Sequence, residues 1–209
     1  MSRALSPSRA ADFMQCPLLY RFRVIDRLPE PPSAAAARGT LVHAVLERVF
    51  DLPAPARTPD AAVDLLPGEW DRLVAQEPEL ASLFEQEGRQ GWFADAAALV
   101  QRWFTLEDPE HLEPAEREMY VEAEVDGLVL RGYVDRLDVA PDGRLRIVDY
   151  KTGRAPSELF EGKALFQMRF YALVLWRTRG VLPTLLQLVY LKDGQVLRYA
   201  PTEHDLLAT

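Results

Sequence analysis

Two apolar segments joined by a Pro-Asp-Gly sequence at residues 141–143 constrain this chain most, because they predict a β-hairpin. Proline suits the second position of the turn, and glycine supplies the positive φ that closes a three-residue loop with a bulge. If Ala140 pairs with Arg144, Asp135 on the first strand lies opposite Asp149 on the second. Directly opposed side chains point to the same face, with Cβ atoms about 5 Å apart.

The carboxylates of Asp135 and Asp149 are close enough in this register to bind one divalent metal ion. Lys151 follows Asp149 by two residues and therefore points to the same face. The second strand is otherwise apolar, so ionisable groups placed this close together need a ligand or partners that offset their desolvation. The alternative interpretation is that all three residues are ordinary solvent-facing charges of a half-exposed strand.

A helix upstream of the hairpin carries another candidate ligand. It is predicted to begin at Gly39 or Thr40, and apolar residues three and four positions apart give it one buried stripe. His43 and Glu47 lie beside that stripe, four residues apart, so both face the same way. The helix can therefore present His43 at the edge of the core, next to the hairpin. Most lone histidines on helices are surface or packing residues, so spacing alone leaves its role open.

Residues 52–118 differ in character from the flanking sequence. Seven prolines separate amphipathic runs, which predicts an insertion of short helices. Its aromatic residues, among them Trp92 and Trp103, have the spacing of core residues, and a stacking platform for single-stranded bases is the alternative. Residues 51–128 carry 5 Lys/Arg and 19 Asp/Glu, a net charge of −14, which argues against contact with phosphate.

The net charge of the whole chain is −8, which does not favour binding to a polyanion. This charge is unevenly distributed along the sequence. Residues 1–50 carry 7 basic and 4 acidic residues, and residues 129–209 carry 12 and 9, so each segment has a net charge of +3. Their basic side chains form a candidate phosphate-binding patch or, equally, ordinary surface charge. The residues of this patch are Arg9, Arg21, Arg23, Arg131, Arg154 and Lys163.

From Met119 the pattern changes to strands at residues 119–125, 128–139 and 144–150, followed by a helix at 163–178 and strands at 185–191 and 195–199. Gln167 and Tyr171 lie four residues apart on that helix and share a face. There they can hold the lysine strand, a water or a phosphate, or form an ordinary surface pair. The order of elements predicts an α/β fold with a central mixed sheet flanked by helices.

A single cysteine excludes an intrachain disulfide framework. The sequence contains no recognisable signal peptide and no apolar run long enough to span a bilayer. It therefore predicts one cytoplasmic globular domain at residues 1–209, which includes the helical insertion, and no membrane partner.

Several segments together resemble the sequence pattern of the PD-(D/E)XK nucleases, specifically their RecB-like exonuclease branch. Asp135 with the Asp-Tyr-Lys sequence at 149–151 resembles the signature of the superfamily. Residues 39–43 (Gly-Thr-Leu-Val-His) resemble the helix that carries a histidine ligand, and residues 167–171 (Gln-Met-Arg-Phe-Tyr) resemble the QxxxY helix. Residues 5–22, from Leu-Ser-Pro-Ser-Arg to Cys-Pro-Leu-Leu-Tyr-Arg-Phe, resemble the N-terminal segment of the family.

The resemblance implies a restriction-endonuclease-like core and a metal-dependent nuclease that hydrolyses phosphodiester bonds of DNA, as an exonuclease in repair or recombination. Such hydrolysis needs one or two Mg²⁺ or Mn²⁺ ions, which neutralise charge on the phosphate and make water easier to ionise. These ions prefer oxygen ligands, and one imidazole inclines the site towards Mn²⁺. Four groups are the implied ligands: the carboxylates of Asp135 and Asp149, the carbonyl of Tyr150 and the imidazole of His43.

The other implied site residues act on the reacting groups. Lys151 orients the attacking water or stabilises the transition state. Gln167 and Tyr171 complete the catalytic set, and Glu122 and Glu124 on the preceding strand are candidate outer groups.

Two other functions remain open. The first is a catalytically idle nuclease fold that serves as a DNA-binding or assembly scaffold. The second is a part of an ATP-driven DNA motor, because RecB-like nucleases often accompany helicases. The chain has no GxxxxGK[ST] phosphate loop, so a helicase partner is expected to be a separate subunit.

Cys16 raises the question of an iron–sulfur cluster. In iron–sulfur members of the resembled group, one cysteine in such an N-terminal segment joins three near the C-terminus to bind a [4Fe–4S] cluster. This chain has one cysteine and ends at Thr209 without a helix-terminating signal. We therefore expect a C-terminally truncated form that binds no cluster, with Cys16 a ligand only in a longer form. The alternative is that Cys16 is a small buried hydrophobic residue.

Overall fold

The computed structural model describes residues 4–84, 88–156 and 161–209. Its strands are β1 Ala4–Leu5, β2 Glu116–Val125, β3 Leu128–Val139, β4 Leu145–Lys151, β5 Leu185–Tyr190 and β6 Gln195–Tyr199. They form one six-stranded sheet in the order β1-β3-β4-β5-β6, with β2 also paired to β3. The β1–β3 and β4–β5 pairs are parallel and the other pairs are antiparallel, so the sheet is mixed, as predicted.

Helices cover both faces of this sheet. They are α1 Pro7–Gln15, α2 Pro17–Tyr20, α3 Ala34–Val49, α4 Pro59–Asp64, α5 Leu66–Gln76, α6 Arg89–Trp103, α7 Glu161–Arg179 and α8 Glu203–Leu207. A π-helical turn spans Arg21–Ile25, and 3-10 turns span Ala54–Ala56, Pro78–Phe84 and Pro109–His111. Within the described ranges, every helix is too short or too polar to cross a membrane.

Strand β4 is buried on both faces because each face packs against a different set of helices. Val148 and Tyr150 join a core built mainly from α3, α4, α5 and α6. Leu145 and Ile147 join a second core built around α7. The alternation follows from the two-residue period of a strand, and burial on both faces explains the nearly continuous apolar sequence of β4. Asp149 belongs to the α7 face, at the end of the strand where the parallel neighbour β5 also ends.

Two predicted boundaries differ from the structure by three residues or more. Helix α3 begins at Ala34 rather than at Gly39 or Thr40, because Ser33 caps it and the alanines that follow favour helix. Strand β2 begins at Glu116 rather than Met119, because its pairing with β3 continues through Arg117. The last three residues of the segment predicted as a helical insertion therefore lie in the sheet.

The helices between residues 52 and 115 pack with α3 in one of the two cores. Trp92 and Trp103 are buried there, in edge-to-face contact with neighbouring aromatic rings. Their helical spacing thus reflects packing, and these rings offer no platform for bases.

Candidate metal centre

The β3–β4 hairpin has the register that its turn predicts. The N–H of Ala140 donates to the carbonyl of Arg144 at 2.9 Å, and the strands pair in that register up to the residue before Asp149. Continued by one residue, the register places Asp135 across from Asp149. At this position the Asp135 carboxylate takes the place of a backbone acceptor in the pairing of the strands, because Asp135 Oδ2 accepts a hydrogen bond from the N–H of Tyr150 at 2.7 Å.

Asp149, Lys151 and Gln167 form a closed ring of contacts. Gln167 on α7 donates from Nε2 to Asp149 Oδ1 at 2.9 Å, and its Oε1 accepts from Lys151 Nζ at 2.9 Å. Lys151 Nζ also lies 2.7 Å from Asp149 Oδ2. That second oxygen is buried and accepts no well-oriented hydrogen bond from the described residues. The charge of Lys151 therefore holds Asp149 Oδ2 beside the ammonium group. This oxygen remains free to bind another ligand.

Tyr171 supports this ring from α7. Gln167 Nε2 lies 3.4 Å from the Tyr171 hydroxyl oxygen, to which it donates. The Tyr171 ring lies against Gly132 on β3 so closely that a Cβ at this glycine would be 2.6 Å from Tyr171 Cε1. Burial raises the pKa of Tyr171 to about 12, so the hydroxyl remains neutral. A buried tyrosine packed on the sheet is not an ordinary surface residue.

His43 reaches the hairpin from α3 and contacts both of its strands. Its Nε2 lies 2.9 Å from the carbonyl oxygen of Tyr150, and its Nδ1 lies 3.4 Å from Asp135 Oδ2. The carbonyl oxygen can only accept, so a neutral imidazole, which has one N–H, carries it on Nε2. Burial lowers the pKa of His43, which disfavours the doubly protonated ring that would satisfy both. One ring nitrogen therefore directs a lone pair at an oxygen atom.

Glu118 on β2 is a member of the site that the sequence analysis missed. Its carboxylate lies with His43 and Asp135 in a group whose candidate ligand atoms are all within 4.8 Å of one another. Its φ of 42° is unusual for a residue with a side chain, and the pairing of β2 with β3 is interrupted at this position. The Glu122 and Glu124 carboxylates expected near the site are exposed instead. Glu122 is four residues from Glu118, about 13 Å along a strand.

The electrostatics of this group are unfavourable without a cation. Burial and the nearby charge of Asp149 raise the pKa of Asp135 well above its usual range. Burial and the Asp135 carboxylate raise the pKa of Glu118 to about 7. Carboxylates that crowd in a low-dielectric setting favour their neutral forms, and a bound cation reverses this preference.

The residues present fit a divalent metal ion. Asp149 offers a buried oxygen that accepts no well-oriented hydrogen bond from the described residues, His43 offers a lone pair, and Asp135 has a raised pKa that a cation would lower. Several carboxylate oxygens with one imidazole form a ligand set suited to Mg²⁺ or Mn²⁺. Glu47, considered with His43 in the sequence, is not part of the ligand group found among the described residues.

Tyr150 anchors the centre to the opposite core. Its hydroxyl donates to Glu107 Oε2 at 3.0 Å and accepts from Arg136. Arg136 and Glu107 form a two-pronged ion pair, with both N–O distances 2.8 Å. Trp103 Nε1 and Gln187 Nε2 donate to the same carboxylate, at 2.7 and 3.1 Å. The Tyr150 side chain is thus fixed by a paired network, which holds its backbone N–H and carbonyl at the metal centre.

The predicted phosphate patch is only partly available. Arg21 pairs with Asp26 at 3.1 Å, and Arg23 pairs with Glu30 at 2.7 Å, so neighbouring acids neutralise these two cations. The Lys163 side chain lies outside the described part of the structure. Cys16, between α1 and α2, is exposed, so the alternative that made it a buried hydrophobic residue is wrong.

Comparisons with known proteins agree with this geometry. The family model described as the PD-(D/E)XK nuclease superfamily matches residues 4–209. The Gene 69 protein of Mycobacterium phage D29 is 30% identical over 195 residues, which cover 84% of this chain and 70% of that protein. The Gene 69 protein of Mycobacterium phage L5 is 25% identical over 214 residues, with coverage of 84% and 71%.

The fold is shared with solved structures. A candidate exonuclease from Eubacterium rectale superposes with a TM-score of 0.60 at 14% identity, covering 99% of this chain and 75% of that one. At this level of identity the likeness shows the arrangement of strands and helices.

Proposed function

Because this chain belongs to the PD-(D/E)XK nuclease superfamily, we propose that it is a metal-dependent deoxyribonuclease of the RecB-like exonuclease type. It hydrolyses phosphodiester bonds of DNA and serves repair or recombination in the cytoplasm. The observation that carries the proposal is the placement of Lys151 Nζ 2.7 Å from Asp149, across the hairpin from Asp135. A scaffold without activity has no need of a lysine held against a buried carboxylate.

The residues proposed to hold Mg²⁺ or Mn²⁺ are Asp135, Asp149, His43 and the carbonyl of Tyr150, with Glu118 as an added carboxylate. When bound, the ion supplies positive charge for the phosphate and makes water easier to ionise. Glu118 increases the negative charge of the site and so favours a second cation or tighter binding of the first.

The remaining side chains position and stabilise the substrate. Lys151 directs its ammonium group to the position where charge develops on the phosphorus oxygens. Gln167 holds Lys151 and Asp149 in fixed orientations through its two hydrogen bonds. Tyr171 packs on Gly132 and limits the movement of Gln167. A separate helicase subunit, a single domain with a helical insertion, and a cluster-binding longer form remain predictions.

The test is cleavage of DNA by the full 209-residue chain. Linear DNA labelled at either end, single-stranded DNA and closed circular DNA are incubated with Mg²⁺, Mn²⁺ or EDTA. We expect degradation of linear substrates with either metal, sparing of the circle, and no cleavage in EDTA. Cutting of the circle contradicts the exonuclease assignment and leaves the nuclease assignment standing.

A lysine variant tests the site itself. Lys151→Ala should abolish cleavage without unfolding the protein, because Lys151 lies at the edge of the core. Asp142→Ala, in the exposed turn at the far end of the hairpin, is the matched control and should cleave normally. Undiminished cleavage by Lys151→Ala contradicts the assignment of this hairpin as the active site.

A further inference from the structure

A second charged cleft opens at the same edge of the sheet as the metal centre. It encloses about 180 Å³ between α3, α6 and the segment that follows β5. Arg38, Arg102 and Lys192 are its basic residues, and Asp95 is its acidic residue. Three cations and one carboxylate give these side chains a net charge of +2, in a chain whose total is −8.

The cations of this cleft are incompletely neutralised. Arg38 donates from Nη1 to Asp95 Oδ2 at 2.9 Å, while its buried Nε has no hydrogen-bond acceptor among the described residues. The Arg102 side chain lies over Gly194, with Nη1 3.6 Å from where a Cβ would stand. In the part of the chain that the structure describes, Arg102 and Lys192 make no ion pair. A buried donor without an acceptor is costly, so the cleft is suited to an anion.

The backbone places this cleft next to the end of the strand that carries the active-site lysine. The carbonyl of Lys151 accepts a hydrogen bond from the N–H of Leu191 at 2.8 Å, and Lys192 is the next residue. Thr152, which also lines the cleft, directly follows Lys151. The cleft therefore lies beside the end of β4, on the face covered by α3 and α6, while the Lys151 side chain contacts Gln167 on α7.

We propose that Arg38, Arg102 and Lys192 form a phosphate subsite that binds the DNA strand beside the scissile bond. This inference rests on the proposed nuclease function and adds to its substrate site. The ligand is a phosphate group, either an internal diester or a terminal monoester of the strand. Arg38 and Arg102 donate several N–H groups and Lys192 adds a point charge, a set suited to phosphate oxygens. Thr152 lines the same cleft, and a threonine hydroxyl can donate one further hydrogen bond.

Binding measured without cleavage tests the subsite. The probe is a fluorescent single-stranded oligonucleotide, and its affinity is measured by anisotropy in EDTA at several salt concentrations. Arg102→Gln/Lys192→Gln should bind roughly tenfold more weakly than the parent chain. The slope of log affinity against log salt should become less steep by about 1.4, or 0.7 for each lost phosphate contact. Both residues are exposed, so the variant should fold.

The matched control removes two exposed charges elsewhere. Arg89→Gln/Arg144→Gln changes the opposite end of α6 and the hairpin turn, and it should bind within about twofold of the parent chain. Oligonucleotides with a 5′-phosphate, a 3′-phosphate or neither distinguish the two sources of phosphate. A loss limited to one terminal phosphate identifies a monoester subsite, and an equal loss on all three identifies an internal diester.

Cleavage and binding separate the two proposals. A chain that cuts no DNA but loses affinity in the cleft variant retains the subsite and contradicts the nuclease assignment. Equal affinity of the parent chain, the cleft variant and the control overturns the subsite, whether or not DNA is cut. Binding too weak to measure in the parent chain overturns it as well.

Discussion

Two groups of buried charge meet at Tyr150 and are balanced in opposite ways. On the ring side, Glu107 accepts hydrogen bonds from Arg136 and other donors, and its pKa is lowered, because these interactions outweigh the effect of burial. On the backbone side, the pKa values of Asp135 and Glu118 are raised, by burial first and then by neighbouring carboxylates. We call these the paired cluster and the open cluster. The charges of both clusters are buried. What distinguishes the structural cluster from the binding site is whether each charge has a partner of opposite charge.

The difference shows what each cluster contributes. The paired cluster joins α6 and its following loop to the sheet, since Glu107 lies 29 residues before Arg136. The open cluster has more carboxylates than cations and contains an imidazole lone pair that faces an oxygen atom. Its geometry is therefore maintained by the surrounding fold rather than by its own contacts.

The largest expected effect is a loss of cleavage when a carboxylate of the metal centre is changed. Asp149→Asn removes the charge of the buried carboxylate that Gln167 and Lys151 hold, and cleavage should fall roughly a thousandfold. The rate is measured on labelled linear DNA with Mn²⁺, and circular dichroism checks the fold. Asp142→Asn in the exposed turn is the control. A rate within tenfold of the parent chain contradicts a ligand role for Asp149.

The second prediction concerns the sign of a stability change. Glu107→Gln should destabilise the metal-free protein by about 3 kcal/mol, because it leaves the buried guanidinium of Arg136 without its two-pronged partner. Asp135→Asn should stabilise it, because the amide oxygen can still accept from Tyr150 while one repelling charge is lost. Urea unfolding in EDTA measures both changes. If both variants are destabilised equally, the two clusters do not differ in the way proposed.

The open cluster could be predicted from the sequence to the extent that strand register determines it. The turn at 141–143 placed Asp135 opposite Asp149, and the same argument applies to the turn at 126–127. Because Val125 pairs with Leu128, the register continues to Glu118 opposite Asp135. The prediction missed Glu118 because the strand was expected to begin one residue later, at Met119.

Contacts made only by tertiary packing could not be predicted in this way. Glu107 lies in a loop after α6, and no periodicity links it to Arg136 on the sheet. Arg102 belongs to the acid-rich segment, where net charge argued against phosphate binding, yet the fold brings it beside Lys192. The net charge of a sequence segment is an average over residues that the fold places on different surfaces. It therefore does not show the charge of any one surface.

The smallest expected effect is a pH dependence specific to the open cluster. In the folded chain the pKa of Glu118 is raised from 4.5 to about 7, so the folded chain binds this proton more tightly than the unfolded chain. The resulting stabilisation is fully present below about pH 4.5 and is lost as the pH rises through 7. His43 acts in the opposite sense, because burial lowers its pKa below 6.5, so stability rises with pH as the unfolded histidine loses its proton.

The measurement is therefore a difference between two chains. In EDTA, the melting temperature of the parent chain should fall relative to that of Glu118→Gln between pH 5 and 8, while Glu116→Gln, exposed at the start of β2, should follow the parent chain. Mn²⁺ competes with the proton and should raise the melting temperature of the parent chain more at pH 8 than at pH 6. The paired cluster contributes nothing in this range, because the lowered pKa of Glu107 confines its effect to acidic pH. If the melting temperatures of the parent chain and Glu118→Gln change with pH in parallel, Glu118 does not have the raised pKa. Glu118 would then not belong to the open cluster.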